Sequence, residues 1–433
     1  LSFDSFVQPE QVQQLSQLSG LVDLQHIELP YISNGVSGGL PSQLVKLTCL
    51  HMGYRRIAAA EQFQHLSSLT ALQVLDLKWF DQNDQQAANL FGEIVMAQQP
   101  GNLLGIQHLV QLTSLRLQSM TLRCSTLSLQ AWTSLTALQS LALSECAVQP
   151  RALAALRQLQ VLSLVDVKPW GAATFEDLIR DVSQLPLLAE FAFSRPCYVG
   201  QVGMVLAPST LTALQASTNL RSLQLGLDRR AAPQGCNMFM PGAMFPHVRK
   251  LDLTYKSTEP VRATEQQLQQ VCSCCPALES LVFHLCEDVS PDACLPLLQL
   301  TARTSLQMAA EHCASEAASA VILAVAAQLT GLKQLHLRGL SHLKNPSILQ
   351  LTALTALEEL DSREGCWGHT DDCDLDFRST VSHPCWTQGG TLCKPIMSYD
   401  TTFWSTSLNH STIEVNAVGY VEHIHVMTST SVK

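Results

Sequence analysis

Charge is scarce in this sequence. Lys and Arg number 26 and Asp and Glu 36 in 433 residues, and the formal net charge is -10. Nucleic-acid phosphates are held by clustered Lys and Arg. No basic stripe occurs, so no general affinity for nucleic acid is expected. Long apolar runs are missing too. The longest apolar window, residues 317–327, is too short to cross a bilayer, and no membrane partner is expected. The opening LSFDSFVQPEQVQQ has neither the basic start nor the apolar stretch of a secretory signal. Beginning with Leu, the chain reads as a piece of a longer product.

Catalytic signatures are equally absent. There is no G-x-S-x-G and no H-E-x-x-H, and the glycine-rich NGVSGGLPS lacks the Lys-Ser/Thr ending of a phosphate loop, so a turn explains it. Asp371, Asp372, Asp374 and Asp376 read as a solvated acidic segment. CSCC, at residues 272–275, has no second spaced pair and falls on an expected helix, so it reads as structural, with no metal and no cofactor expected. The fifteen cysteines, scattered through a long chain, read as mostly reduced thiols of an intracellular, cytoplasmic protein.

What the sequence has is leucine in a repeating frame. Residues 133–146, TSLTALQSLALSEC, space Leu135, Leu138, Leu141 and Leu143 by three, three and two. Thirteen copies of this L-x-x-L-x-x-L-x-L frame, some degenerate, run along the chain. Their third positions are Ile27, Leu50, Leu75, Leu115, Leu141, Leu162, Phe191, Leu223, Leu251, Leu281, Leu306, Leu335 and Leu360. The L-x-L end predicts a short strand with two inward side chains, and the threes predict the end of a helix and a turn into that strand. No unit covers its own core, but stacked units make a parallel sheet and one apolar spine.

The returning segments read as helices. Leu178, Ile179, Val182 and Leu185 share one face after Thr174; Thr264 and Gln267 fit a capping box; Ser290, Pro291 and Asp292 make a helix start that Pro296 shortens or kinks. Cys124, Cys272 and Cys313 fill such layers. Residues 1–17 are expected to be a lead-in, residues 18–363 the repeat domain, and residues 364–433 a Cys/Ser/Thr-rich, poorly ordered tail. Cys366, Cys373, His383, Cys385 and Cys393 in that tail match no standard ligand spacing.

The frame resembles the leucine-rich repeat superfamily over about residues 18–363. The resemblance implies an α/β solenoid, a horseshoe with the parallel sheet on its concave face and helices or irregular segments on its convex face. CPALESLVFHLCEDVSPDACLPLL and LALSECAVQPRALAAL look most like the cysteine-containing repeats of F-box proteins, with Cys146 and Cys286 three residues after the last frame leucine. That family implies a repeat domain that holds a target for a ubiquitin ligase. No F-box precedes the first repeat, and none of the thirteen has Asn at that position. A scaffold on cytoskeleton or ciliary axoneme is the alternative, with matching location. In either case the chain is expected to be a non-catalytic monomer that binds a protein.

Residues between and after the frame leucines face the concave side and are the default recognition surface. The central column reads Glu28, His51, Asp76, Arg116, Ala142, Ser163, Ala192, Gln224, Asp252, Val282, Gln307, His336 and Asp361, bland in the middle and charged at both ends. Two residues past the last frame position stand Tyr31, Tyr54 and Trp79 in successive repeats, and Tyr255 later. Aromatics make up only 6% of the chain, so three in register beside Asp76 and Lys78 predict a partner anchor, with shielding of the spine's open end as the plain alternative. Lys250, Asp252, His284, His336, Arg338, Asp361 and Arg363 form a second polar patch, read first as a solvated face. Of two excursions, residues 81–102 predict an amphipathic helix. Met238, Phe239, Met240, Met244 and Phe245 predict a loop that grips a partner or, more commonly, tucks back onto the solenoid.

Overall fold

The computed structural model describes residues 24–32, 44–54, 66–79, 106–118, 129–144, 146–148, 151–169, 174–195, 208–227, 239–240, 242–254, 262–285, 291–300, 302–309, 316–338 and 349–363. Its strands are β1 (His26–Ile32), β2 (Cys49–Tyr54), β3 (Val74–Trp79), β4 (Ser114–Gln118), β5 (Ser140–Ser144), β6 (Ala147–Val148), β7 (Val161–Val165), β8 (Lys168–Pro169), β9 (Glu190–Arg195), β10 (Ser222–Leu227), β11 (Lys250–Asp252), β12 (Arg262–Ala263), β13 (Ser280–Leu285), β14 (Ser305–Ala309), β15 (Gln334–Arg338) and β16 (Glu359–Arg363). Thirteen of them form one sheet path in the order β1-β2-β3-β4-β5-β7-β9-β10-β11-β13-β14-β15-β16. Every pairing is parallel. β12 joins β13, and β6 pairs with β8 apart from the main sheet.

The register is the one the leucine frame predicts. Ile27 pairs with Leu50, Leu50 with Leu75, and the column continues unbroken through Phe191 to Leu335 and Leu360. Twelve of the thirteen side chains are buried, and Leu360, on the last strand, is half-buried. Sealing one leucine from water is worth about 1.5–3 kcal/mol.

The spacing of three has a more specific cause than a helix end. Leu69 donates its N–H to the Leu66 carbonyl at 2.9 Å and Leu72 to that of Leu69 at 3.0 Å; Leu109 and Leu112 repeat the pattern. These are successive i to i+3 turns, in which residues three apart eclipse one another. Three consecutive leucines therefore share a face before the chain extends. Strand entry also recurs. The Gln25 carbonyl accepts from Thr48 and Cys49, that of Thr48 from Gln73 and Val74, and that of Gln73 from Thr113 and Ser114.

The returns carry helices α1 (Leu129–Ser134), α2 (Phe175–Ser183), α3 (Pro208–Thr212), α4 (Glu265–Cys274) and α5 (Glu316–Gln328). The expected capping box of Thr264 with Gln267 is present, and Thr174 forms a second one with Asp177. The segment led by Pro291 is a 3-10 helix, Pro291–Gln299, with Pro296 inside it, because proline removes the N–H that an α-helical turn needs. Strands sit about 4.8 Å apart whereas helices need about 8–10 Å, so the sheet is the shorter, concave layer.

Two positions depart from the pattern. Arg303 stands where the other copies carry Leu or Val, between Leu278 and Leu332 in the second frame column; it is 2% exposed, and none of its three guanidinium nitrogens has a hydrogen-bond partner. In the second excursion Phe239 and Phe245 are buried, with rings 5.1 Å apart, while Met240 and Met244 stay exposed. That loop tucks back by its phenylalanines. The expected residue 81–102 helix, the glycine-rich turn, Tyr255, Met238, Cys124, Cys286, Cys313, the lead-in and the tail lie outside the described residues.

Candidate functional site

The central column forms as predicted. Glu28, His51, Asp76, Arg116, Ala142, Ser163, Ala192, Gln224, Asp252, Val282, Gln307, His336 and Asp361 occupy one register row across the sheet. The aromatic row is shorter than predicted. Tyr54 pairs with Trp79, but a register shift between Leu29 and Ile32 sets Ile32, and not Tyr31, opposite Tyr54. Pro30 lies within the shift and has no N–H to give the ladder.

The first four strands bring a charged group together around Asp76. This residue, predicted as an exposed contact, is only 6% exposed. Its Oδ2 lies 3.4 Å from His51 Nδ1, 3.8 Å from Lys78 Nζ and 3.8 Å from Arg116 Nη1, and its Oδ1 has no hydrogen-bond partner. The two cations are 40% and 57% exposed. Lys78 and Arg116 thus offset the charge of the buried carboxylate while their heads remain available on the face. Glu28 is exposed beside them.

His51 also faces the other way. Its Nε2 lies 3.2 Å from Cys49 Sγ, and its ring centroid is 5.5 Å from that of His26. In the tautomer whose Nδ1–H donates to Asp76, the Nε2 lone pair accepts the Cys49 S–H. Cys49, His51 and Asp76 thus form a hydrogen-bonded chain of the kind that activates a nucleophile. The thiol's environment opposes that use. Burial pushes the Cys49 thiol up, and Asp76 and Glu28 add to it, whereas a reactive cysteine needs its thiolate favoured. Ligation is the other chemistry available, since His26, Cys49 and His51 place one ligand atom each within 4.8 Å of one another.

At the far end His336 Nδ1 lies 3.5 Å from Asp361 and its Nε2 3.8 Å from Glu359, whose other oxygen accepts from Gln334 at 3.1 Å. Arg338 and His284 are half-buried, and Lys250 is exposed. Asp252 is occupied locally, its Oδ1 accepting the Thr254 N–H and hydroxyl at 2.8 Å each. The CSCC cysteines are buried: Cys272 is pushed up to about 11 by burial, and Cys275 rises for the same reason. Sequence reasoning missed His26 and Cys49. The signal was present, since both stand immediately before the third frame position in consecutive repeats.

No protein-family model matches the chain, and no curated protein matches it in sequence. Among solved structures it is similar to an internalin of Listeria monocytogenes, at 18% identity over 82% of this chain and 89% of that one, TM-score 0.40. It is also similar to the structure of the Toll–Spatzle complex of Drosophila, at 11% identity over 82% and 53%, TM-score 0.40. A third is the TLR13–ssRNA13 complex, at 15% identity over 81% and 48%, TM-score 0.40. The chain spans about half the length of these last two matched chains. Among the described residues, no helix is long and apolar enough to cross a membrane. Thirteen copies of one leucine frame, each contributing one strand in fixed register to a single parallel sheet, give this chain the fold of a leucine-rich repeat solenoid.

Proposed function

We propose that the chain is a non-catalytic scaffold that holds a protein partner on its concave face, anchored at the first four strands. The observation that carries this is the row in β1 to β4. Lys78 and Arg116 project from the sheet over a buried Asp76, Glu28 stands exposed, and Tyr54 and Trp79 occupy paired positions at the strand ends. A rigid sheet presents these groups without further ordering, which removes much of the entropic cost of binding. Ala142, Ser163 and Ala192 give the middle a low floor over which an extended chain can lie close. His284, His336 and Arg338 are further contacts of the same face.

Target recognition for a ubiquitin ligase rests on the cysteine-bearing repeats, of which Cys146 is described; its Sγ donates to the Ser144 carbonyl at 3.2 Å. A fixed dock on cytoskeleton or axoneme would use the same face, and would retain the chain in the detergent-insoluble fraction.

The test is charge reversal in the full chain, Lys78→Glu with Arg116→Glu, read by proximity labelling in cells. Labelled proteins that disappear in this variant, but persist when Arg180 on α2 is reversed, are the expected result. An unchanged set would rule out the face.

A further inference from the structure

We propose that His26, Cys49 and His51 form a binding site for a zinc-class divalent ion at the edge of the concave face. The site rests on three side chains from two adjacent strands and stands independently of the partner reading. His26 of β1 pairs directly with Cys49 of β2, and His51 lies two residues beyond Cys49 on the same face of β2. Parallel pairing therefore sets three donors at the corners of a triangle, and their ligand atoms all lie within 4.8 Å of one another. A tetrahedral zinc ion bonds sulfur at about 2.3 Å and imidazole nitrogen at about 2.0–2.1 Å, which separates neighbouring donors by roughly 3.3–3.6 Å. Cys49 and His51 already stand 3.2 Å apart. His26 is exposed and offers the third donor, within 4.8 Å of the other two.

The outer partners favour the same reading. A histidine that ligates through one nitrogen usually donates the other N–H to a carboxylate, which fixes the tautomer and raises the basicity of the ligand. Asp76, with Oδ2 3.4 Å from His51 Nδ1, is placed to accept that N–H, which turns the Nε2 lone pair toward Cys49 and the ion. The Glu28 and Asp76 carboxylates flank His51 on one register row, and Lys78 and Arg116 approach the same Asp76 oxygen at 3.8 Å each and offset part of its charge. One thiolate with two imidazoles suits zinc, or cobalt as its spectroscopic substitute, and not calcium or magnesium, which require oxygen. On binding, the Cys49 S–H bond is replaced by a sulfur–metal bond, and the proton passes to solvent. Three protein ligands leave the fourth position for water or for a donor brought by a bound partner.

The test uses the full chain without a histidine tag, reduced, stripped with chelator and titrated with cobalt(II). The parent should take up one equivalent more than each of Cys49→Ser, His26→Gln and His51→Gln. The lost equivalent should carry the thiolate-to-cobalt charge-transfer band and be displaced by zinc. Asp76→Asn should keep that band while weakening affinity about 10–100-fold. Zinc should also protect Cys49 from alkylation in the parent, read by peptide mass spectrometry, and this holds the proposal to account even where a variant folds poorly. Equal cobalt uptake and identical spectra in parent and variants, or alkylation of Cys49 unaffected by zinc, would overturn the site.

Discussion

Arg303 shows what the frame does to a single residue. It occupies a column that is otherwise Leu or Val, and the packing of neighbouring repeats buries it regardless of its chemistry. A guanidinium taken out of water without a partner loses its hydration and gets nothing back. Burial lowers its pKa to about 10, with Cys272 and Cys294 acting weakly the other way. Because the folded state holds this proton less tightly than the unfolded chain, the penalty is fully present at neutral pH and eases only as pH rises through about 10. Arg303→Leu restores the frame. It should stabilise the protein by about 1–3 kcal/mol, read as a higher denaturation midpoint, and the gain should be equal at pH 6 and pH 8. A lower midpoint would show that Arg303 is held by something the frame does not explain.

At the scale of the element, α2 is set by its first turn. The Thr174 hydroxyl accepts the Asp177 N–H at 3.2 Å, and Asp177 accepts the Thr174 N–H at 3.0 Å. Thr174→Ala should lower stability by about 1 kcal/mol. The Thr174 N–H holds the Asp177 carboxyl below its usual value of 3.8, with the Thr174 hydroxyl and Arg180 reinforcing it. The stabilisation is therefore complete above that value and lost as pH falls through the lower folded one. The gap in denaturation midpoint between parent and Asp177→Asn should be open at pH 7 and narrow by pH 3; a constant gap would mean that the charge is not involved. The companion box of Thr264 and Gln267 was legible in sequence, because it depends on two residues three apart. Strand positions were legible for the same reason, since a period carries its own register. What stayed hidden depends on a neighbour. Pro30 shifts β1 and takes Tyr31 out of the aromatic row, Thr254 occupies Asp252, and His51, Lys78 and Arg116 close over Asp76. The Cys49 and His51 pairing with His26 appears only once adjacent repeats are laid side by side.

For the whole molecule the consequence of a linear stack is that damage depends on where it falls. Along the sheet path each strand pairs with the strands before and after it, and β13 also with β12, so stability is a sum of units and of the contacts between neighbours. Leu223 in β10 is fully buried between Phe191 and Leu251, whereas Leu360 in the terminal strand pairs on one side with Leu335 and is half-buried. A charge at the first position breaks two interfaces and divides the spine; at the second it loosens one end. Leu223→Asp should therefore abolish amide-exchange protection on both sides of β10. Leu360→Asp should remove protection from β16 and leave β2 to β14 as in the parent. Uniform loss of protection in both variants would mean that the stack melts as a single unit, and the nearest-neighbour description of this solenoid would fail.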